Sequence, residues 1–269
     1  MSPVSALTLL SLAALGLSSV ATASQCGDCW CIPGNGGNDE CPDWQPQEEF
    51  LPELLADLKA KKTLNPFDDL TCNPYKDEGC VTTPEQDHVD YDGAMCGWKF
   101  ANCNNSDCGS YEMKTYMSSD EAESDGAYVT HLGACGLCST AQDLAAYIEQ
   151  DDMTKEGKKC ATKGLIHEHW GKKCYQNLGF TEPCSSIWNY DGIYDGKKCA
   201  GICIKNLFAD NNGPPPACEL NDCLQCDEDE AGPLFKAFAG RTRRRSGLNE
   251  EIGRGCDEFA QIDINAAMC

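Results

Sequence analysis

The stretch "AYVTHLGACGLCSTAQDLAAYI", Ala127 to Ile148, is the most informative about the fold class because two different periodicities meet within it. "AYVTHL" is short, β-branched and aromatic, as in a strand. The segment that follows places Leu144, Tyr147 and Ile148 on one helical face, behind Ser139 or Thr140 as N-cap. The stretch therefore predicts a strand, a tight turn and a capped helix, with two cysteines at the junction.

Those two cysteines, Cys135 and Cys138, have two interpretations. A thioredoxin-like redox site has this order: the first cysteine lies at a helix N-terminus, where the dipole lowers its thiol pKa, and the second closes a reversible disulfide. Ala134 stands where such motifs usually carry an aromatic residue. The alternative is that each cysteine pairs with a different distant cysteine, as in many secreted scaffolds, and this structural interpretation is favoured.

Outward from this junction, the chain changes character at residue 132. "MCGWKFA" and "SYEMKTYM" are further short strands, which predict a small antiparallel sheet in the N-terminal half, after a first helix in Gln47 to Lys62. Beyond it, "IHEHWGKKCYQNLG", "PCSSIWNY" and "KKCAGICIKNLF" indicate short helices with cysteines among their apolar positions. The fold class is α+β and disulfide-rich, with residues 24–132 forming a cap, helix and sheet and residues 133–269 a disulfide-laced helical region.

The N-terminus indicates export. Val4 to Val20 is an uncharged apolar run, and Ala21-Thr22-Ala23 is a cleavage site, so residues 1–23 are predicted to be a signal peptide. No later stretch is apolar enough to span a bilayer. All 21 cysteines lie in the mature chain, and this density is typical of a disulfide framework in an oxidising compartment. The protein is expected to be secreted.

The charge limits the class of partner. The net charge is −22, which argues against nucleic acid because phosphates would be repelled over most of the surface. It favours solubility and weak attraction to divalent cations, and a solvated acidic surface is the preferred interpretation.

Three motifs that could carry chemistry are weak. "CGDCW" near Cys29 resembles the box around a papain-like nucleophile, but Pro33 and a glycine run prevent the helix that such a thiolate needs. His167, Glu168 and His169 form a compact cluster, yet residues two apart on a helix point to different sides, so an exposed helix start is preferred over a metal site. Cys223 and Cys226 lie too far from the first cysteine pair for a zinc finger. No cofactor is expected.

One basic run interrupts the acidic chain. "GRTRRRSG" contains Arg241, Arg243, Arg244 and Arg245. We expect an electrostatic clasp with the acidic residues Asp227 to Glu230, or a patch for an anionic glycan or phosphate. The R-x-x-R pattern also fits cleavage by a secretory convertase.

Two further sites follow from the secretory context. Asn104 opens an N-glycosylation sequon. The odd number of cysteines leaves at least one without an internal partner, and the terminal Cys269 is the candidate for a disulfide-linked homodimer. The alternative is a Cys256–Cys269 bridge, with the spare thiol in the cluster of Cys26, Cys29 and Cys31.

Four segments, "LGACGLCSTAQDLAAYI", "GFTEPCSSIW", "KKCAGICI" and "CLQCDEDEAGPLFKAFAGRTRRRSGL", resemble secreted cysteine-rich proteins of microbial eukaryotes over Leu132 to Asp263. That resemblance implies a basic run built into the domain, and it supplies no catalytic residues. The expected function is a non-catalytic extracellular binding or matrix component with an unknown partner or glycan. The alternative is a thiol–disulfide oxidoreductase that uses Cys135 and Cys138.

Overall fold

The computed structural model describes most of the chain from the first predicted helix onward: residues 51–80, 93–101, 108–150, 153–206, 209–214 and 217–248, with residues 252, 260 and 262. The predicted signal peptide and the N-terminal cysteine cap lie outside these residues.

The sheet has four strands in the order β1-β3-β2-β4. Their bounds are Lys62–Thr63, Met95–Phe100, Ser110–Tyr116 and Tyr128–Leu132 for β1 to β4. β2 pairs antiparallel with both β3 and β4, and the β2–β4 ladder has an irregularity between Cys96 and Gly97. The two residues of β1 pair parallel with β3, which makes the sheet mixed. Its three longer strands are those that the sequence predicts.

Helices are the other regular elements of the described residues. After α1 (Leu51–Ala60) and the short α2 (Ser119–Ser124), all others follow the sheet: α3 (Ala141–Glu149), α4 (Met153–Ile166), α5 (Glu168–Asn177), α6 (Glu182–Lys198), α7 (Ala200–Lys205), α8 (Asp222–Glu230), α9 (Gly232–Ala239) and a 3-10 turn at Arg244–Ser246. Thr140 is the N-cap of α3, and its hydroxyl accepts from the Asp143 amide at 3.1 Å. The α+β class is confirmed.

The core joins the sheet to the helices. Trp98 of β2 is fully buried, its ring centroid lies 4.7 Å from that of Tyr111, and its Nε1 donates to the Ser139 carbonyl at 3.0 Å. The same core continues through apolar side chains of α3, α6 and α9, among them Leu144, Tyr147, Ile187, Trp188 and Phe235. Buried residues from both sides of Gly133 therefore share one core.

Disulfides reinforce this packing. Six bridges have both cysteines within the described residues: Cys72–Cys80, Cys96–Cys135, Cys138–Cys184, Cys160–Cys174, Cys199–Cys226 and Cys203–Cys223. Cys108 and Cys218 are disulfide-bonded as well. Most of the six lie in the helical half, as the sequence predicts. In the part of the chain that the structure describes, no helix is long and apolar enough to cross a membrane.

Candidate functional site

The structure separates the two cysteines of the predicted redox pair. Cys135 is bonded to Cys96 of β2, and Cys138 is bonded to Cys184 of α6. Both are buried, and the peptide between them is held by hydrogen bonds from the Leu137 and Cys138 amides to the end of α9. A side chain on Gly136 would collide with this backbone. The two cysteines thus link the sheet to the helices. Each is paired with a distant cysteine, and they do not form a Cys135–Cys138 bridge with each other.

Beside this turn lies a buried histidine–serine pair that the sequence does not reveal. His131 Nδ1 donates to the Leu132 carbonyl at 2.8 Å, and its Nε2 accepts from the Ser139 hydroxyl at 2.8 Å. Burial, and then the Arg241 charge, lower the pKa of His131 well below its usual value, so the ring is neutral. Both side chains are fully enclosed. No substrate can reach this serine in the folded state, and the pair orients the cysteine turn.

Arg241 is buried in the protein interior and is not part of a surface patch. Its guanidinium is fully buried and satisfies all five N–H donors. The acceptors are the carbonyls of Cys138, Thr130 and Ser139 and the hydroxyls of Thr130 and Ser246, at 2.9 to 3.4 Å. Burial lowers the pKa of Arg241 to about 10, which still leaves it charged at neutral pH. It joins β4, the cysteine turn and the 3-10 turn.

The other three arginines of the run point to separate partners. Arg243 is buried and donates to the Tyr147 and Gln150 carbonyls, so it caps the C-terminal end of α3. Arg244 pairs with Glu228 of α8 at 3.0 Å, which is the contact expected of a clasp. The Arg245 guanidinium lies against Gly133. Because Arg241 and Arg243 are buried, the run does not form one continuous anion-binding patch on the surface. For the same reason, a protease cannot contact the Arg241 side chain in the folded protein.

His167, Glu168 and His169 lie at the start of α5, with His167 as N-cap, and all three are exposed. The His167 ring stacks on Trp170, with centroids 5.3 Å apart, and its centroid lies 6.4 Å from that of His169. Among the described residues, no three His, Cys, Asp or Glu side chains are arranged to hold a metal ion. The two imidazoles instead belong to an aromatic cluster.

That cluster ends the hairpin of α4 and α5, and we call it the α4–α5 tip: Leu165, Ile166, His167, His169 and Trp170. Ile166 is 70 % exposed, Trp170 is 55 % exposed and Leu165 is 46 % exposed. Soluble proteins seldom leave large apolar side chains together on a protrusion unless they contact a partner.

The α4 helix extends from the tip with a basic solvent face. Lys155, Lys159 and Lys163 recur every four residues and are exposed, as is Lys158 beside them. Lys159 pairs with Glu156 at 2.9 Å. The hairpin, residues 153–177, contains six lysines and two glutamates, whereas the whole chain has a net charge of −22. Basic side chains are thus concentrated next to the exposed apolar ones.

Three contacts fix the geometry of the α4–α5 hairpin. The Cys160–Cys174 disulfide joins α4 to α5. The helices cross where Gly164 meets Gly171, so closely that a Cβ on Gly171 would lie 2.5 Å from the Gly164 Cα. Asn189 of α6 donates to the Glu168 carbonyl at 3.1 Å. The tip is therefore presented in a fixed geometry. Sequence reasoning missed this site, although the four-residue lysine spacing in "KEGKKCATK" was a usable signal.

Two predicted sites lie elsewhere. Asn104 and Cys269 are outside the described residues. Every cysteine within the described residues is disulfide-bonded, so the odd cysteine is not among them. The link through Cys269 stays a prediction.

The fold and its sites define a disulfide-rich α+β protein with a rigid basic hairpin. The model of a family of unknown function (DUF8771) matches residues 168–262, from α5 onward, which is less than half of the chain. Neither a curated protein nor a solved structure matches the chain. The matched segment contains the basic arginine run, which the sequence resemblance also covers.

Proposed function

We propose that the protein is exported and acts as a non-catalytic binding protein, with the α4–α5 tip and the lysine face of α4 as its binding surface. The observation that carries this proposal is the exposure of Ile166 and Trp170 beside four lysines, on a chain that is otherwise strongly acidic. A surface of this composition fits an anionic partner with an apolar component.

Export is supported by the disulfides and by the N-terminal apolar run. The bridges that tie the cysteine turn to β2 and to α6 are of a kind that persists in oxidising compartments. If residues 1–23 are a signal peptide, the secreted protein begins at Ser24. N-terminal sequencing of protein collected from the culture medium tests this, and a chain that keeps Met1 would contradict it.

The binding surface can be tested by chromatography on an immobilised sulfated polysaccharide at low salt. A protein of net charge −22 is not expected to bind this matrix through its overall charge, so retention would report a local basic surface. We expect wild type to be retained and Lys159→Glu with Lys163→Glu to flow through.

The control replaces two exposed lysines elsewhere, Lys62→Glu with Lys76→Glu, and makes the same change in net charge. This control should be retained almost as well as wild type. Equal loss of retention in both double variants, or no retention of wild type, would contradict the proposed surface.

A further inference from the structure

The exposed side chains of the α4–α5 tip indicate what kind of partner it contacts, if the proposed binding surface is correct. Ile166 is aliphatic, offers no hydrogen bond and projects from the end of a helical hairpin, whereas the half-exposed Leu165 lies partly against Gly196 of α6. A protruding aliphatic side chain such as that of Ile166 gains free energy mainly by leaving water for an apolar phase.

Trp170 and the lysines complete the pattern of a membrane interface. Indole rings concentrate at the headgroup level of bilayers because they combine an apolar body with one N–H donor. Lysines can lay their methylene stems along an apolar surface while the ammonium groups reach the lipid phosphates. An interfacial helix typically places such lysines next to its apolar face.

The geometry of the hairpin favours docking without rearrangement. The Cys160–Cys174 bridge and the Gly164–Gly171 crossing fix α4 relative to α5, so little conformational entropy is lost on binding. The tip would enter the interface as a preformed wedge, and the exposed face of α4 would lie along the lipid headgroups.

Charge decides which lipid surface fits. Charges interact over a Debye length of about 8 Å at physiological salt, so the acidic charge on the remainder of the molecule is screened from a bilayer that touches the tip. Along the exposed face of α4 that leads to the tip, the hairpin offers Lys155, Lys159 and Lys163, opposed by Glu156 and Glu168. The local balance is positive and complementary to anionic headgroups.

We propose that the α4–α5 tip docks on an anionic lipid surface, with Ile166 and Trp170 in the headgroup region and the α4 lysines facing the lipid phosphates. The protein would lie on the membrane without spanning it, and its acidic surface would face the solution.

Flotation with two kinds of vesicle tests this inference: phosphatidylcholine alone, and phosphatidylcholine mixed with phosphatidylserine. Wild type should float with the mixed vesicles, and its tryptophan fluorescence should shift to shorter wavelength. Ile166→Asp and Trp170→Ala should each lower partitioning by about tenfold or more. Because both side chains are exposed, these variants should keep the wild-type thermal midpoint.

The matched control is Ile204→Asp on α7, where the side chain is 66 % exposed. It should float like wild type. The lipid inference would be overturned if wild type ignored the mixed vesicles, or if Ile204→Asp reduced flotation as much as Ile166→Asp. Retention on the sulfated matrix without flotation would also reject the lipid surface, while leaving the proposed binding protein intact. If wild type neither binds the sulfated matrix nor floats with the mixed vesicles, both the proposed binding surface and the lipid inference are rejected.

Discussion

Arg241 donates to both oxygen atoms of Thr130, to the carbonyl from Nη1 at 3.0 Å and to the hydroxyl from Nη2 at 3.1 Å. The two residues are 111 positions apart in the sequence. Together with the Cys138 carbonyl, this contact joins the C-terminal arginine run to β4 and to the cysteine turn. A sequence feature that looks like a surface patch is therefore part of the internal framework.

Replacement of Arg241 by lysine should destabilise the protein severely. Lysine keeps the positive charge but cannot reproduce the five-donor fork, so buried carbonyls lose their partners, each at a cost of about 1–3 kcal/mol. We expect a loss of about 3 kcal/mol or more in the free energy of unfolding, measured with urea. Arg244→Gln removes a partly exposed ion pair with Glu228 and should cost less than about 1 kcal/mol.

The salt dependence of the unfolding free energy distinguishes the loss caused by Arg241→Lys from the loss caused by Arg244→Gln. Added salt should shrink the small Arg244 effect, because that pair lies at the surface, and leave the Arg241 effect unchanged. Similar losses in the two variants, or a salt-dependent Arg241 effect, would contradict the buried network.

The sequence predicted the three longer strands and the capped helix well, because alternation and capping are local properties. It did not predict α4. That helix buries three residues, Met153, Cys160 and Gly164, so few apolar positions mark its buried face, and its two glycines argue against a helix. The parallel pairing of β1 involves two residues, too few for a pattern.

The roles of the arginines could not be predicted for a different reason. Four arginines in five positions usually indicate a solvated or ligand-binding surface. Burial of Arg241 depends on acceptors more than 100 residues away, and Arg243 finds its acceptors at the end of α3. Only the Arg244–Glu228 pair follows from charge complementarity along the chain.

The division of the chain at residue 132 stays a prediction.

Disulfide mapping should find peptides that link Cys96 to Cys135 and Cys138 to Cys184. Double replacement of Cys138 and Cys184 by alanine should cost about 4 kcal/mol in a chain-entropy estimate, because the bridge closes a separation of 46 residues. Replacement of Cys72 and Cys80, which are separated by 8, should cost about 2.5 kcal/mol. Urea unfolding gives both values. A reversed order, or a recovered Cys135–Cys138 bridge, would count against the structure.

Stability should fall as the pH rises from about 5 to about 7, because two buried carboxyls with raised pKa outweigh the buried neutral His131, whose lowered pKa acts in the opposite direction. Burial, together with Asp195 and Glu228, raises the pKa of Asp191, and burial raises that of Asp143 to about 6. Since these carboxyls ionise at lower pH in the unfolded chain, near their usual pKa of about 4, the native state holds more protons in this range. Deprotonation therefore favours unfolding, and the thermal midpoint should be higher on the acidic side.

Asp191→Asn isolates one contribution to this slope. Its amide oxygen can still accept the hydrogen bond that Tyr75 donates at 2.7 Å, but it no longer ionises. The variant should be more stable than wild type near neutral pH, and its midpoint should depend less on pH. Asp68→Asn removes an exposed carboxylate as a control and should leave the slope unchanged. Equal slopes for Asp191→Asn and wild type would contradict the inferred protonation.

The helix crossing at Gly171 should tolerate no larger residue. A methyl group there would meet Asn189 Oδ1 and the Gly164 Cα, so Gly171→Ala must separate α4 from α5 or displace α6. We expect a loss of about 1–3 kcal/mol in the free energy of unfolding, as for other overpacked sites. Gly157→Ala is the matched control within α4, because nothing lies within 4 Å of its added methyl group. It should stabilise the protein by about 0.5–1 kcal/mol through the lower entropy of the unfolded chain. If the two alanine variants unfold at the same urea concentration, the close crossing that fixes the α4–α5 tip does not exist in solution.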